Sequence, residues 1–414
     1  MLIVQKYGGS SVADTECIMR VAKRIVNTFS KGNKVVVVLS AQGDTTDHLS
    51  AKAKEINIKA SKRELDMLLS TGEQQSVALM AMAIHKLGYP AISLTAAQVG
   101  IHSSSAYGNA RIKNIDTNRI TSELERNNIV LIAGFQGINR YGDVTTLGRG
   151  ASDTTAVALT AVLGADLCEI YTDVDGVYTA DPRIVKNAVK INEITYEEML
   201  ELASLGAKVL HNRAVEMAKR YRVKLVVRSS MTEEEGTLIR EEVLGMEKLF
   251  VSGIAVDDEI ARIAVVGIED RPGMAYHIFS LLAKEKISVD IILQSIGRNF
   301  TKDISFTIHK DCLRRAMDTI ESHREAIGFD MLSYDDNVAK LSIVGAGMAS
   351  NSGVASMMFE ALYDCGVNIN MISTSEIKIS VLIEKKYIEK AMTSVHDKFV
   401  SNQVEFYKGG KQLI

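Results

Sequence analysis

Lys6-Tyr7-Gly8-Gly9-Ser10-Ser11 follows the apolar run Leu2, Ile3, Val4 and leads into a segment with Ile18, Val21, Ala22, Ile25 and Val26 at helical spacing. Strand, glycine pair and helix is the geometry in which backbone N–H groups and a helix N-terminus hold an anion, and Lys6 adds a positive charge where a polyphosphate would lie. Read alone, the segment is equally well a plain strand-to-helix turn in which the glycines supply positive φ and Lys6 is solvated.

A second cluster, Gly148-Arg149-Gly150-Ala151-Ser152-Asp153-Thr154, is more specific. An Arg between two glycines is free to bring its planar fork to a carboxylate. Ser152 or Asp153 is expected to cap a helix from Thr154, whose open N–H groups form another anion site. The third cluster runs from Tyr171 through Thr172, Asp173, Asp175, Tyr178 and Asp181 to Arg183, after an apolar strand. Its Asp, Tyr and Arg side chains suit the base, ribose and phosphates of a nucleotide, with Lys208 as a further candidate. Tyr, Ala and Pro fill the later ligand positions of a calcium loop, which argues against that ion.

Two segments are better explained structurally when read alone. Ser40 to Asp47 closes the second strand, where α/β sheets bind ligands, yet an ordinary loop with Asp44 or Thr45 as a cap accounts for it. Ser70 and Glu73 match the S-x-x-E capping box, a structural alternative to a carboxylate that receives a substrate ammonium. No GxxxxGK[ST] run occurs, which excludes a P-loop, and Gly345-Ala346-Gly347-Met348-Ala349-Ser350 lacks the third glycine of a dinucleotide fingerprint.

The elements that must position these residues alternate over residues 1–230. Apolar strands are expected at 2–5, 34–40, 90–94, 129–133, 167–172 and 223–228, and helices at 14–29, 72–87, 115–126, 153–163, 195–205 and 212–221. Continuous apolar strands argue for a mostly parallel sheet between helical layers. Glu233-Glu234-Glu235 and Arg240-Glu241-Glu242 mark 231–248 as a solvated linker. Beyond it the chain repeats: Gly273, Ala275, Phe279, Leu282, Ile287, Val289 and Ile292 recur, 80 positions on, as Gly353, Ala355, Phe359, Leu362, Val367, Ile369 and Ile372. Each unit reads strand, helix, strand, strand, helix, which with a last strand is the ferredoxin-like βαββαβ module, placing one module at 249–335 and one at 336–414.

A chain of 414 residues with 46% hydrophobic and 24% charged residues is an ordinary multidomain globular protein. Its net charge of −3 gives no basic face for nucleic acid, and its apolar runs are too short for a membrane span. Gln5 and Lys6 stand where a secretory leader needs apolar residues, and four dispersed cysteines (Cys17, Cys168, Cys312, Cys365) suit a reducing cytoplasm.

Together the Lys6–Ser11, Gly148–Asp153 and Thr172–Arg183 motifs, in this order and over a paired repeat, resemble the aspartokinase family. The resemblance covers nearly the whole chain. It implies an α/β fold: a three-layer α/β/α amino-acid-kinase (carbamate-kinase-like) domain followed by two ferredoxin-like ACT modules. It also implies transfer of the ATP γ-phosphoryl to the side-chain carboxylate of L-aspartate, the opening step of lysine, threonine and methionine biosynthesis. Mg²⁺ would be held mainly by the nucleotide, with no metal site of the protein's own.

Carried over by position, the resemblance makes Lys6 and Asp153 catalytic. Lys6, Tyr7, Gly8, Gly9, Ser40, Thr172, Asp173, Tyr178, Arg183 and Lys208 fall on the nucleotide side, and Thr46, Glu73, Arg149 and Ser152 on the aspartate side. This makes Glu73 a substrate contact as well as a cap. An effector site for lysine, threonine or both is implied at Asp270, Pro272, Gly273, Val289, Asp290 and Gln294. The second module has Ser352 and Asn370 where the first has Pro272 and Asp290, and so is the weaker effector candidate. Self-association through the ACT modules, as a homodimer or higher, is implied too. A kinase for glutamate, acetylglutamate or a nucleoside monophosphate fits the paired modules and the Gly148–Asp153 block less well. A non-catalytic sensor does not explain why Lys6, Arg149 and Asp153 are all present.

Overall fold

The computed structural model describes residues 1–148, 150–206, 209–241, 251–295, 300–348, 351 and 353–400. Its central sheet has eight strands: β1 (Leu2–Tyr7), β2 (Lys34–Leu39), β3 (Ala91–Leu94), β4 (Ile129–Ala133), β5 (Leu167–Thr172), β6 (Glu193–Thr195), β7 (Leu225–Ser229) and β8 (Thr237–Arg240). They lie in the order β6-β8-β7-β5-β1-β2-β4-β3, and every pairing is parallel except β7 with β8.

Alternation along the strands builds the layers. Val35, Val37, Leu39, Ile129 and Leu131 pack on α1 (Thr15–Ser30) and α4 (Thr71–Lys86) through Ile18, Val21, Ile25, Val77, Met80 and Ile84. Val4, Val36, Val38, Val130 and Ile132 face the other way, onto Ala156, Val157 and Leu159 of α5 (Ala151–Leu163). Each fully buried Ile or Leu in these layers contributes roughly 1.5–3 kcal/mol. On β1, Lys6 therefore shares the α5 side with Val4, while Gln5 and Tyr7 face α1. Between α1 and α4 run two polar helices, α2 (Thr45–Ile56) and α3 (Lys62–Leu69). A small four-stranded sheet beside the domain joins Ile112–Ile115, Ile101–Ser103, Gln136–Ile138 and Val144–Thr146.

The stretch expected to be linker contains β8. Glu233, Glu234 and Glu235 are exposed, but Ile239 is fully buried, so the central sheet extends to Arg240 before the chain leaves it. Residues 242–248 of that stretch lie outside the described residues.

Two antiparallel sheets follow. The first has β10 (Ile260–Glu269), β11 (Val289–Gln294), β12 (Thr301–His309) and β13 (Met331–Asp335) in the order β11-β12-β10-β13; the second has β9 (Gly253–Asp257), β14 (Val338–Val344), β15 (Met371–Thr374) and β16 (Lys378–Glu384) in the order β9-β14-β16-β15. The repeat is real in three dimensions: Gly273 and Gly353 open equivalent helices at φ 98° and 109°, and Ile278 and Leu282 fill the places of Met358 and Leu362. The expected boundary at 335/336 needs correction, because β9 pairs with β14 and so takes, in the second sheet, the place of β13 in the first. The first module is threaded between β9 and the rest of the second. It has a core of its own, whereas the second module shares one continuous core with the catalytic domain.

Candidate active site

The carboxyl ends of β1, β2, β4 and β5 meet where the chain order along the sheet reverses, the place at which open α/β sheets bind ligands. Lys6 reaches across this edge to the first turn of α5, with Nζ 2.7 Å from Asp153 Oδ1; the two side chains are only 12% and 9% exposed. The Gly8 N–H donates to Tyr171 O at 3.2 Å, fastening the glycine turn to β5. Gly43 N–H donates to Gly9 O at 3.0 Å, and a Cβ on Gly9 would lie 2.7 Å from Ala41 O, so only glycine lets the loops after β1 and β2 touch. The Ser40 N–H is held by Tyr7 O at 3.1 Å.

The Tyr7 side chain does not belong to this crevice. Its ring is fully buried on the α1 side, stacked on Tyr171 at 4.6 Å between centroids, and burial pushes its pKa well above 10.0. Strand alternation sends it away from Lys6, so only its backbone borders the site.

Helix α5 begins at Ala151, preceded by Gly150 at φ 65°, rather than at Thr154. Neither Ser152 nor Asp153 is its cap: both are buried inside the first turn, which frees Asp153 for Lys6. Gly134, just past β4, lets that turn approach, since a Cβ there would lie 2.7 Å from Ser152 Oγ. Thr154 Oγ is buried and has no partner among the described residues. Arg149 lies outside the described residues, between Gly148 at φ 91° and Gly150.

The capping box at Ser70 does not form. Ser70 sits in helical conformation where α3 runs into α4, and its hydroxyl donates back to Met67 O at 2.9 Å. Glu73 is thereby released toward the loop after β2: Oε1 accepts from the Ala41 N–H at 3.2 Å, while Oε2 is buried and has no partner among the described residues. Burial pushes the Glu73 carboxyl up to about 7, as expected of an anion with too little solvation and one polar atom unmet. A Cβ on Gly72 would lie 2.7 Å from Ala41 Cβ and 3.4 Å from Thr45 Cγ2, which brings this turn against the loop after β2 and the first turn of α2, where Thr46 is half-buried.

On the other side, Thr172 Oγ donates to Asp173 Oδ1 at 3.0 Å, and the Ser230 N–H to Thr172 O at 2.9 Å. Ser11 Oγ donates to Ser230 Oγ at 2.8 Å, tying the turn after β1 to the end of β7; Ser230 had no signal in the sequence. Tyr178 donates to Asp175 Oδ1 at 2.8 Å, and burial together with that bond pushes the phenol up to about 12. Arg183 is 85% exposed at its side chain and folds back on Asp181 at 2.7 Å, so its guanidinium is engaged within its own turn instead of in the crevice. Lys208 lies outside the described residues.

In the first ACT module, a pocket of about 340 Å³ is lined by Asp270, Arg271, Pro272, Gly273, Gln294 and Lys302 among others, with Lys302 Nζ 2.7 Å from Asp270 Oδ1. Val289 and Asp290 do not line it: Val289 packs against the module core, and the Asp290 carboxylate is ion-paired with Lys340 of β14. In the second module Ser352 lies outside the described residues, and the Asn370 N–H donates to Leu382 O at 2.8 Å. That module is bonded to the catalytic domain: Glu198 Oε1 accepts from Ser252 Oγ at 2.5 Å and from the Ala346 N–H at 3.0 Å, and Thr179 Oγ meets His396 Nε2 at 2.9 Å.

Residues 1–229 match the model of the amino acid kinase family, and residues 263–323 and 341–399 each match that of the ACT domain. The chain is 53% identical over 398 residues to an aspartokinase of Geobacillus stearothermophilus, covering 96% of this chain and 97% of that one. To an aspartokinase of Helicobacter pylori it is 52% identical over 400 residues, with 96% and 98% covered. The aspartate kinase of Clostridium acetobutylicum superposes with a TM-score of 0.78 at 26% identity, covering 96% of this chain and all of that one. Escherichia coli aspartokinase III, crystallised with aspartate and ADP, shares the fold at a TM-score of 0.82 and 23% identity, over 96% and 99% of the two chains. With identity above half along nearly its full length, and both domain types in the same order, the chain belongs to the aspartokinase family.

Proposed function

We propose that the chain transfers the γ-phosphoryl group of ATP to the side-chain carboxylate of L-aspartate, giving ADP and 4-phospho-L-aspartate. The observation that carries this is the Lys6–Asp153 pair at the reversal point of the sheet, beside a glycine turn and the N-terminus of α5. The attacking oxygen is already an anion at neutral pH, so no strong base is required. What the reaction needs is alignment and neutralisation of charge as the bond to ADP breaks and the bond to the carboxylate forms.

Lys6 supplies a cation to the phosphoryl group in flight, and Asp153 holds that cation in place. Gly8, Gly9 and Ser40 border the phosphates, while Thr172, Asp173 and Tyr178 form the nucleotide side with Lys208. Arg183 joins them only if it releases Asp181. Glu73, whose Oε2 is buried without a partner among the described residues, takes the ammonium of aspartate, with Thr46 nearby. Arg149 takes the α-carboxylate, and Ser152 lies beside it.

Mg²⁺ fits as a passenger of the triphosphate, since the buried Asp153 carboxylate at the start of α5 is already taken by Lys6. When bound, the ion adds its charge to the neutralisation of the phosphates.

Lysine or threonine is the effector in this reading, received at the Asp270–Lys302 pocket, and the bonded second module carries its effect to the catalytic domain. Self-association runs through the ACT modules. Among the described residues no helix is long and apolar enough to cross a membrane, and the four cysteines are free, which supports a place in the reducing cytoplasm. Incubation with ATP, Mg²⁺, aspartate and hydroxylamine tests the activity: aspartyl hydroxamate is expected, and ATP turnover without it would sink the reading.

A further inference from the structure

Asp66 is the one buried residue of α3, an eight-residue helix otherwise at the surface. Its carboxylate accepts from the Thr146 N–H at 2.8 Å, from the Thr146 hydroxyl at 2.8 Å and from the Gly108 N–H at 2.9 Å. Anchoring a helix by mere packing calls for an apolar side chain; a buried carboxylate with three donors fixes direction and distance. From the opposite side, Arg213 donates to Leu147 O at 2.5 Å and to Ala110 O at 3.1 Å. The backbone directly before Gly148 is thus clamped by an anion and a cation.

The other end of the tie is equally firm. Ser70 N–H donates to Asp66 O at 3.1 Å, Gln136 Nε2 donates to Ser70 O at 3.1 Å, and three residues further on stands Glu73. Asp66 therefore joins α3, which runs directly into the helix that carries Glu73, to the strand that leads to Gly148.

We propose that Asp66 is a positioning residue that sets the spacing between the ammonium-binding and α-carboxylate-binding sides of the site, and so selects for L-aspartate. This rests on the roles given above to Glu73 and Arg149. Asp66 itself touches no substrate.

The test compares wild-type protein with Asp66→Ala and Thr146→Val, measuring KM for aspartate and for ATP and the preference for L-aspartate over its α-amide. Asp66→Ala removes the acceptor of two N–H groups and a hydroxyl, so aspartate KM is expected to rise about tenfold or more while ATP KM stays within about twofold. The preference for aspartate over the α-amide should fall in parallel. Thr146→Val removes one of the three bonds at nearly equal volume and should move aspartate KM the same way by less. If Asp66→Ala fails to fold by circular dichroism, Thr146→Val decides alone. Aspartate and ATP KM rising together, or an unmoved aspartate KM in an active folded variant, overturns the proposal. Absence of aspartyl hydroxamate from the wild-type protein would instead strike the parent reading, and this one with it.

Discussion

Lys6 Nζ and Asp153 Oδ1 are 2.7 Å apart across the sheet edge, joining the end of β1 to the first turn of α5 in a setting almost closed to solvent. Strand alternation and helix start conspire here: Lys6 must face α5, and α5 begins early enough to put Asp153 in its first turn. Asp153→Asn leaves the ammonium at its post without a carboxylate. We expect kcat to fall by about tenfold or more and ATP KM to move less, with stability lowered by about 1–3 kcal/mol. Steady-state kinetics and thermal melts check both parts; an unchanged kcat would make the pair merely structural.

Glu73 gives the site a pH signature. With its carboxyl raised to about 7 from 4.5, the free protein holds it largely neutral below pH 7, whereas an ammonium ligand needs the anion. Aspartate KM should therefore fall as pH rises through about 7, and Glu73→Gln should have a high KM that lacks this dependence. The linkage to folding has the opposite direction. A raised carboxyl contributes stability fully present below about pH 4.5 and lost as pH climbs through 7, so Glu73→Gln should be the more stable protein at pH 8, by up to about 3 kcal/mol. A flat KM profile in the wild type would remove Glu73 from the substrate site.

Gly134 allows β4 and α5 to meet. A methyl group there would stand 2.7 Å from Ser152 Oγ, 2.9 Å from Ser152 Cβ and 3.0 Å from Val38 Cγ1, and the Cβ cannot swing aside without moving the helix. Gly134→Ala is expected to cost about 1–3 kcal/mol and to lower kcat by displacing Asp153. Full activity at an unchanged melting temperature would contradict the close approach.

Lys340, with a side chain 5% exposed on the central sheet of the second module, is paired with Asp290 of the first and lies 3.6 Å from Asp257. Asp290→Ala is expected to destabilise the protein by about 1–3 kcal/mol, short of the 3–5 for a fully enclosed pair because Asp290 is itself half exposed. Asp270→Asn, at the pocket, should instead weaken inhibition by the effector. Binding isotherms and melts on the two variants separate these roles; effector affinity lost only in Asp290→Ala would restore that residue to the pocket.

How much of this was legible in the chain depends on where apolar residues fall. The strands from β1 to β5, and β7, announce themselves as apolar runs, and α1 and α4 by helical spacing. Helix α2 was invisible because it buries no residue, and α3 because the residue it buries is Asp66. Strands of three or four residues in the small sheet are too short for a period to show. The partner of β9 lies some eighty residues along the chain, and no local signal encodes that pairing. Within the site, the motifs located Lys6 and Asp153, and simple alternation could have excluded the Tyr7 ring. Ser230 carries no local pattern, since only packing makes it a tie to Ser11.

The central claim is that Lys6 stabilises the phosphoryl group in transfer and does not merely hold the nucleotide. A single-turnover experiment with γ-labelled ATP, saturating aspartate and Lys6→Ala measures it directly, with nucleotide affinity determined in parallel. Acyl-phosphate formation is expected to slow about a hundredfold to a thousandfold while ADP affinity changes by less than about tenfold. Transfer at the wild-type rate, or a loss wholly explained by weakened nucleotide binding, would contradict it.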